Sequence, residues 1–239
     1  MKANLDPIQE AKRNAALAAV KHVKDGFIVG LGSGSTAAFA IEALGERIKL
    51  EKLRIMGIPT SYQAFLLAVE CGIQITSLDE HPEVDVTIDG ADQVTPELYL
   101  IKGMGAALAR EKIVAAASKL NVIIADEQKK VKLLGEKGQG VPVEVLPFAI
   151  SLAKRKIAAI GGKPVLREGK GKLGPTITDN GNAILDSFFG EIAAPADLAV
   201  KVKMIPGVVE TGFFVGLTDV AYVGTVAGAV EKIEKHKRK

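Results

Sequence analysis

The sequence predicts an α/β protein: a mostly parallel sheet covered by helices, with a smaller α+β unit inserted before the chain returns to that sheet. Three observations predict it. Residues 84–88, VDVTI, are apolar or β-branched apart from Asp85, and such a strand suits the interior of a parallel sheet buried on both faces. Residues 27–44 read as an apolar strand, a glycine-rich turn and a helix, and strands and helices keep alternating from there. Near Gly135 the texture changes to GEKGQGVP, rich in Gly and charge, and the Asn180-Gly181 pair beyond it is a hairpin signal.

In chain order, residues 6–23 form a predicted helix, with Pro7 in the first turn and Ala16, Leu17, Val20 and Val23 on one face. The strand FIVGLG (27–32) ends in Ser33, Gly34, Ser35 and Thr36, and a helical pattern resumes at Ala37. A second strand covers 53–59, a helix 60–71, a short strand 73–78, and the central strand 84–88. An apolar helix spans 106–118, a further strand 121–125, and Lys129 lies beyond its carboxyl end. The inserted unit reads as strand 143–146, helix 148–160, strand 164–167, hairpin 177–188 and helix 195–202. Residues 207–215 and 220–224 are the returning strands.

Composition narrows the function. The chain has 239 residues, 48% hydrophobic and 25% charged, which is ordinary for a globular protein with a real core. Its net charge of +3 owes much to the final EKIEKHKRK, read as a solvated tail, so no body-wide basic patch suits nucleic acid. The single cysteine, Cys71, excludes an internal disulfide framework, and three scattered histidines give no metal spacing. The first 25 residues carry charge throughout, and no uncharged apolar run approaches the roughly 18 residues of a membrane span, so a cytoplasmic protein is expected.

The chemistry-bearing residues gather at strand ends. Asp89 and Asp92 flank Gly90 and Ala91 beyond the central strand, where α/β sheets bind ligands, although a strand terminator and a turn cap are the alternative roles for the two acids. Lys102, Gly103, Met104 and Gly105 form a lysine-bearing glycine turn that feeds a helix start, a place that favours anions. Glu111 sits in that helix among Ala, Leu, Ile and Val, and either pairs with Arg110 or Lys112 or points into a site. The Ser33–Thr36 turn offers amides and hydroxyls suited to phosphate. A dinucleotide fingerprint is not met, because Ser35 stands where the third glycine belongs and the next strand lacks the ribose-binding acid; the P-loop and nucleophile-elbow patterns are missing too.

Taken together, GLGSGST, DGAD, KGMGAALAREK, ADEQKKV, VPVEVLP, TDNGNAILD and IPGVVETGFF, in this order, closely resemble the type A ribose-5-phosphate isomerase family over about residues 11–224. The resemblance implies a Rossmann-like domain, 1–134 plus 207–239, with a ferredoxin-like domain inserted at 135–206. It also implies a homodimer or homotetramer with no metal and no organic cofactor. The implied reaction is the interconversion of ribose 5-phosphate and ribulose 5-phosphate in the pentose phosphate pathway. By the same resemblance Glu111 is the base, Asp89, Asp92 and Lys102 are catalytic, and Ser33, Gly34, Ser35, Thr36, Asp89, Gly90, Ala91, Asp92, Lys102, Gly103, Met104, Gly105 and Lys129 bind substrate. Two residues depart from the family pattern: Met104 replaces a glycine and Gln93 a glutamate. Competing readings are an amino-sugar-phosphate isomerase-deaminase, a coenzyme A transferase with Glu144 as its acyl-bearing residue, and a sugar-phosphate sensor, which would need a DNA-binding unit that the single amino-terminal helix leaves no room for.

Overall fold

The computed structural model describes residues 6–169, 171 and 173–235. Among the described residues there are six α-helices: α1 (Pro7–Ala19), α2 (Ser35–Glu51), α3 (Tyr62–Glu70), α4 (Leu108–Ala116), α5 (Ile150–Ala159) and α6 (Pro195–Lys203). The strands are β1 (Ile28–Leu31), β2 (Met56–Pro59), β3 (Gln74–Ile75), β4 (Val86–Gly90), β5 (Gln93–Val94), β6 (Leu100–Ile101), β7 (Asn121–Asp126), β8 (Val141–Val145), β9 (Lys163–Leu166), β10 (Ala183–Phe188), β11 (Val208–Thr211), β12 (Phe213–Phe214), β13 (Val220–Gly224) and β14 (Val230–Glu234).

The chain divides into two compact units. The first holds the segments up to Ala91, Arg110–Lys130 and those from Gly216 onward; the second holds Asp92–Ala109 and Val131–Val215. This division differs from the one read in the sequence, at 134/135 and 206/207. Residues 92–109 supply β5 and β6, which pair with each other, and β6 pairs with β12; residues 208–211 pair with β8, so both segments belong by hydrogen bonding to the second unit. The expectation that 207–215 return to the main sheet is therefore corrected: of the two segments expected to return, only 220–224 does, as β13.

The first unit is built on a seven-stranded sheet of order β14-β13-β7-β4-β1-β2-β3. All neighbours from β3 to β13 run parallel, and β14 is the antiparallel edge. Counted along the chain, the parallel strands lie in the doubly wound order 3-2-1-4-5-6, which makes this unit Rossmann-like and puts its switch point between β1 and β4. Burial on both faces explains the unbroken apolar runs: every residue of β1, β4 and β7 is buried. Ala15, Ala16 and Ala19 of α1 pack with Val29, Leu31, Ile41, Leu44, Val86, Ile88, Val122 and Ile124 in one core. Helix α1 starts where the sequence places it, because Asp6 caps the amides of Ile8 and Gln9 at 2.9 Å each and Pro7 fills the first turn.

Residues 231–234, read from sequence as part of a solvated tail, belong instead to β14 with Val230. Its charges suit an edge strand, where ladder groups face solvent. Residues 236–239 of that tail lie outside the described residues.

The second unit carries a four-stranded antiparallel sheet, β11-β8-β10-β9, and a three-stranded one, β12-β6-β5. Val143, Val145, Ala153, Ile157, Ala183, Leu185 and Val202 form the core beneath α5 and α6. Asn180 and Gly181 do turn the chain, with Gly181 at φ 80°, but β10 pairs with β8 and β9 and meets residue 177 only through an isolated bridge. The turn is tied down by Glu144, fully buried on β8, whose Oε1 accepts from Thr178 Oγ1 at 2.9 Å, Asn180 Nδ2 at 3.0 Å and Asn182 Nδ2 at 2.8 Å.

One titrating contact in the first unit has a measurable consequence. His22 Nε2 lies 2.9 Å from Tyr222 Oη, and burial, then the Lys232 charge, hold the imidazole below its ordinary pKa against the opposing pull of Glu234. The folded chain thus binds this proton less readily than the unfolded chain. Its contribution to stability is present above the unfolded value near 6.5 and lost as pH falls below it. The melting temperature of wild type should fall more steeply between pH 7 and 5 than that of His22→Gln; parallel slopes in calorimetry would refute this coupling.

Candidate active site

In the first unit the site grows from the β1–α2 turn. Gly32 N–H donates to Ile88 O at 3.0 Å, drawing the turn against the end of β4. Asp89, 2% exposed within β4, accepts from Ser33 N–H at 3.1 Å and Gly90 N–H at 2.7 Å through one oxygen, so its carboxylate is aimed by two backbone donors. Ser33 Oγ meets Thr60 Oγ1 at 2.8 Å and Ser61 Oγ at 2.6 Å. Gly34 takes φ 94° at the N-cap of α2 with no side-chain cap, its own N–H going to Gln63 Oε1 at 2.9 Å. The α2 start thus presents helix amides beside Ser35 and Thr36, the arrangement that receives anions. Ser35 Oγ also accepts from Lys12 Nζ at 3.3 Å.

Gly32 is required for close approach rather than for its dihedral angles. A Cβ there would stand 2.2 Å from Asp89 Oδ1 and 2.5 Å from Asp89 Cα, inside any real contact. Gly32→Ala should therefore push the turn off Asp89, costing about 1–3 kcal/mol of stability as an overpacked site and lowering turnover at least tenfold. Melting curves and initial rates together check it; an unchanged melting temperature would mean that the turn gives way freely.

Also in the first unit, Glu111 lies in the first turn of α4, 5% exposed. Lys129 ends a 3-10 turn (Glu127–Lys129) that Asp126 caps after β7, leaving the lysine half-buried at the carboxyl end of that strand. Ala91, half-buried, is the last residue of its segment.

The second unit holds Asp92 and the Lys102, Gly103, Met104 and Gly105 turn. Asp92 N–H pairs with Ile101 O at 2.9 Å, and Asp92 Oδ2 accepts the Met104 N–H at 3.0 Å. Lys102 is 2% exposed, with Nζ 5.3 Å from the centroid of the Phe214 ring, whose negative face suits an ammonium. Gly103 has φ 105°, a region that disfavours a side chain, whereas Met104 keeps an ordinary backbone and an exposed side chain, so position 104 does not call on a glycine's conformational freedom. Gln93, the other departure, is buried: it donates to Glu136 O at 2.7 Å and accepts Gly135 N–H at 2.8 Å, anchoring the Gly-rich stretch that the sequence marks as a boundary.

The structure thus groups Ser33, Gly34, Ser35, Thr36, Asp89, Gly90, Ala91, Glu111 and Lys129 in one unit and Asp92, Lys102, Gly103, Met104 and Gly105 in the other. Sequence reasoning missed Thr60, Ser61 and Gln63, which brace the first turn, and Arg167, which braces the second; the hydroxyl pair Thr60-Ser61 after β2 was the available signal. Glu144 is fully buried, with three donors on its Oε1, so it is not open to an acyl group. Among the described residues no group of three or more His, Cys, Asp and Glu side chains is placed to hold a metal ion, and no helix is long and apolar enough to cross a membrane.

A doubly wound sheet with an aimed carboxylate and a helix start at its switch point defines an α/β protein whose candidate site is of the kind suited to a small anionic ligand. Residues 56–228 match the family model of ribose 5-phosphate isomerase A (phosphoriboisomerase A). The chain is 50% identical over 226 residues to ribose-5-phosphate isomerase A of Methanosarcina acetivorans, covering 95% of each chain. It is 45% identical to ribose 5-phosphate isomerase A from Methanocaldococcus jannaschii, with a TM-score of 0.90 over 95% of this chain and 99% of that one. A D-ribose-5-phosphate isomerase in complex with phospho-erythronic acid gives a TM-score of 0.92 at 45% identity and the same coverage. The chain belongs to the ribose 5-phosphate isomerase A family.

Proposed function

We propose that this chain interconverts D-ribose 5-phosphate and D-ribulose 5-phosphate through a cis-enediolate, with Glu111 as the base. The observation that carries the assignment is a glutamate only 5% exposed in the first turn of α4, a setting that keeps a carboxylate away from bulk water. From the open-chain aldose Glu111 takes the C2 proton, the electron pair forms the C1–C2 double bond, and charge passes to the C1 oxygen. The same carboxyl returns a proton to C1. The proton on the C2 oxygen leaves and one is gained at the C1 oxygen, so atoms and charge balance.

Lys102 supplies the positive charge that the enediolate oxygen needs, together with nearby backbone amides. Asp89 and Asp92 serve ring opening and the oxygen protons. Ser33, Gly34, Ser35 and Thr36 receive the phosphate at the α2 start, with Lys129 and the Gly90, Ala91, Gly103, Met104 and Gly105 backbone completing the contacts. Binding at the phosphate is then converted into orientation of the reacting carbons. Family membership supports this assignment, as it does a homodimer or homotetramer acting in the cytoplasmic pentose phosphate pathway without metal or organic cofactor. The test is ribose 5-phosphate incubated with purified protein and chelator, followed by NMR. Ketose should appear. Melting shifts with the sugar phosphate but no turnover would favour the sensor, and ammonia released from an amino-sugar phosphate the deaminase.

A further inference from the structure

Arg167, just past β9, is absorbed by none of the roles above, yet its guanidinium is fully engaged within the second unit. It pairs side-on with Asp186, through Nε to Oδ2 at 2.8 Å and through Nη2 to Oδ1, and the two side chains are only 12% and 19% exposed. The remaining nitrogen, Nη1, donates to two successive carbonyls of the glycine turn, Gly103 O and Met104 O, each at 2.9 Å. A trans peptide points its C=O and the next N–H in opposite directions. Fixing these two carbonyls on one nitrogen therefore aims the Met104 and Gly105 N–H groups away from Arg167. The Met104 N–H finds Asp92 Oδ2 at 3.0 Å. The Gly105 N–H is turned the same way, a donor set beside a carboxylate.

We propose that Arg167, held by Asp186, is a positioning residue for the isomerase: it orients the Gly103–Gly105 peptides so that Asp92 and the Gly105 amide face the reacting oxygens of the substrate. This rests on the reading of the chain as a ribose 5-phosphate isomerase. Arginine is needed because one planar fork must grip a carboxylate on one edge and two carbonyls on another, which a lysine ammonium cannot do in fixed geometry. The Gly103 carbonyl also accepts the Ala106 N–H at 2.9 Å, so the peptide that depends most on Arg167 is the next one, Met104–Gly105, whose carbonyl is held by Nη1.

The experiment compares wild type with Arg167→Met, Arg167→Lys and Asp186→Asn in kcat, KM, melting temperature and calorimetric affinity for phospho-erythronic acid, whose carboxylate carries charge like an enediolate oxygen. Arg167→Met should lower kcat about 10- to 100-fold with KM within about twofold and weaken phospho-erythronic acid binding in step, as loss of an aimed donor does. Lysine should restore only part of this. Combining Arg167→Met with Asp92→Asn should cost much less than the product of the two single losses, since both act through the same peptide. Variants that melt lower but keep wild-type kcat, change KM alone, or multiply independently with Asp92→Asn would overturn the proposal. A wild type that converts ribose 5-phosphate beside unaffected variants overturns this inference alone; a wild type inert toward ribose 5-phosphate and without affinity for phospho-erythronic acid overturns the functional reading and this one with it.

Discussion

Glu111→Gln should lower kcat for ribose 5-phosphate by about 10²- to 10⁴-fold while KM and the melting temperature stay close to wild type. The amide has the size and shape of the carboxylate, so the α4 packing that leaves this side chain 5% exposed is preserved. What the amide lacks is basicity at the carbon proton, and a step with no competing base loses the whole contribution of proton transfer. An interaction made only in the transition state leaves substrate affinity alone, which is why kcat and kcat/KM should fall together. Rate assays with a parallel melting curve check it. A large loss in melting temperature instead would place Glu111 among the structural residues, in line with the pairing to Arg110 or Lys112 that the sequence also allows.

Lys102→Met should remove about 3 kcal/mol of transition-state stabilisation, a 10²- to 10³-fold fall in kcat. Methionine keeps an apolar stem against Phe214 and removes the ammonium. Lys102 is 2% exposed, so its ammonium is held away from water at a desolvation cost. A functional lysine and a structural one therefore separate in a single variant. Turnover collapsing in a variant that remains folded at the assay temperature supports the electrostatic role; a lower melting temperature with unchanged turnover contradicts it.

The parts of this fold legible in the sequence are those whose physics is local. β1, β4 and β7 are buried on both faces, so their composition alone betrays a parallel sheet, and the cap at Asp6-Pro7 marks a helix start within one residue. β5, β6 and β12 have two residues each, too few to show a period, and they were missed as a sheet. β14 hid because an edge strand needs only Val230 and Ile233 to lean inward while its charges read as a tail. Among site residues, Asp89 and Asp92 stood out by their spacing at a strand end, and Lys102 by its glycine turn. Arg167 did not. It lies 63 residues after Met104 in the chain, and only β9 pairing with β10 brings Asp186 to its guanidinium.

The central claim is that the proton between C1 and C2 travels on a carboxylate. Isomerisation in D2O, followed by NMR of product and recovered substrate over many turnovers, tests it most directly. A proton held by Glu111 has repeated chances to exchange with solvent, so deuterium should accumulate at one position of ribulose 5-phosphate C1 and at ribose 5-phosphate C2, and Glu111→Gln should lose exchange and isomerisation together. Full isomerisation with no deuterium entering either carbon would mean a direct hydride shift, and would contradict the account.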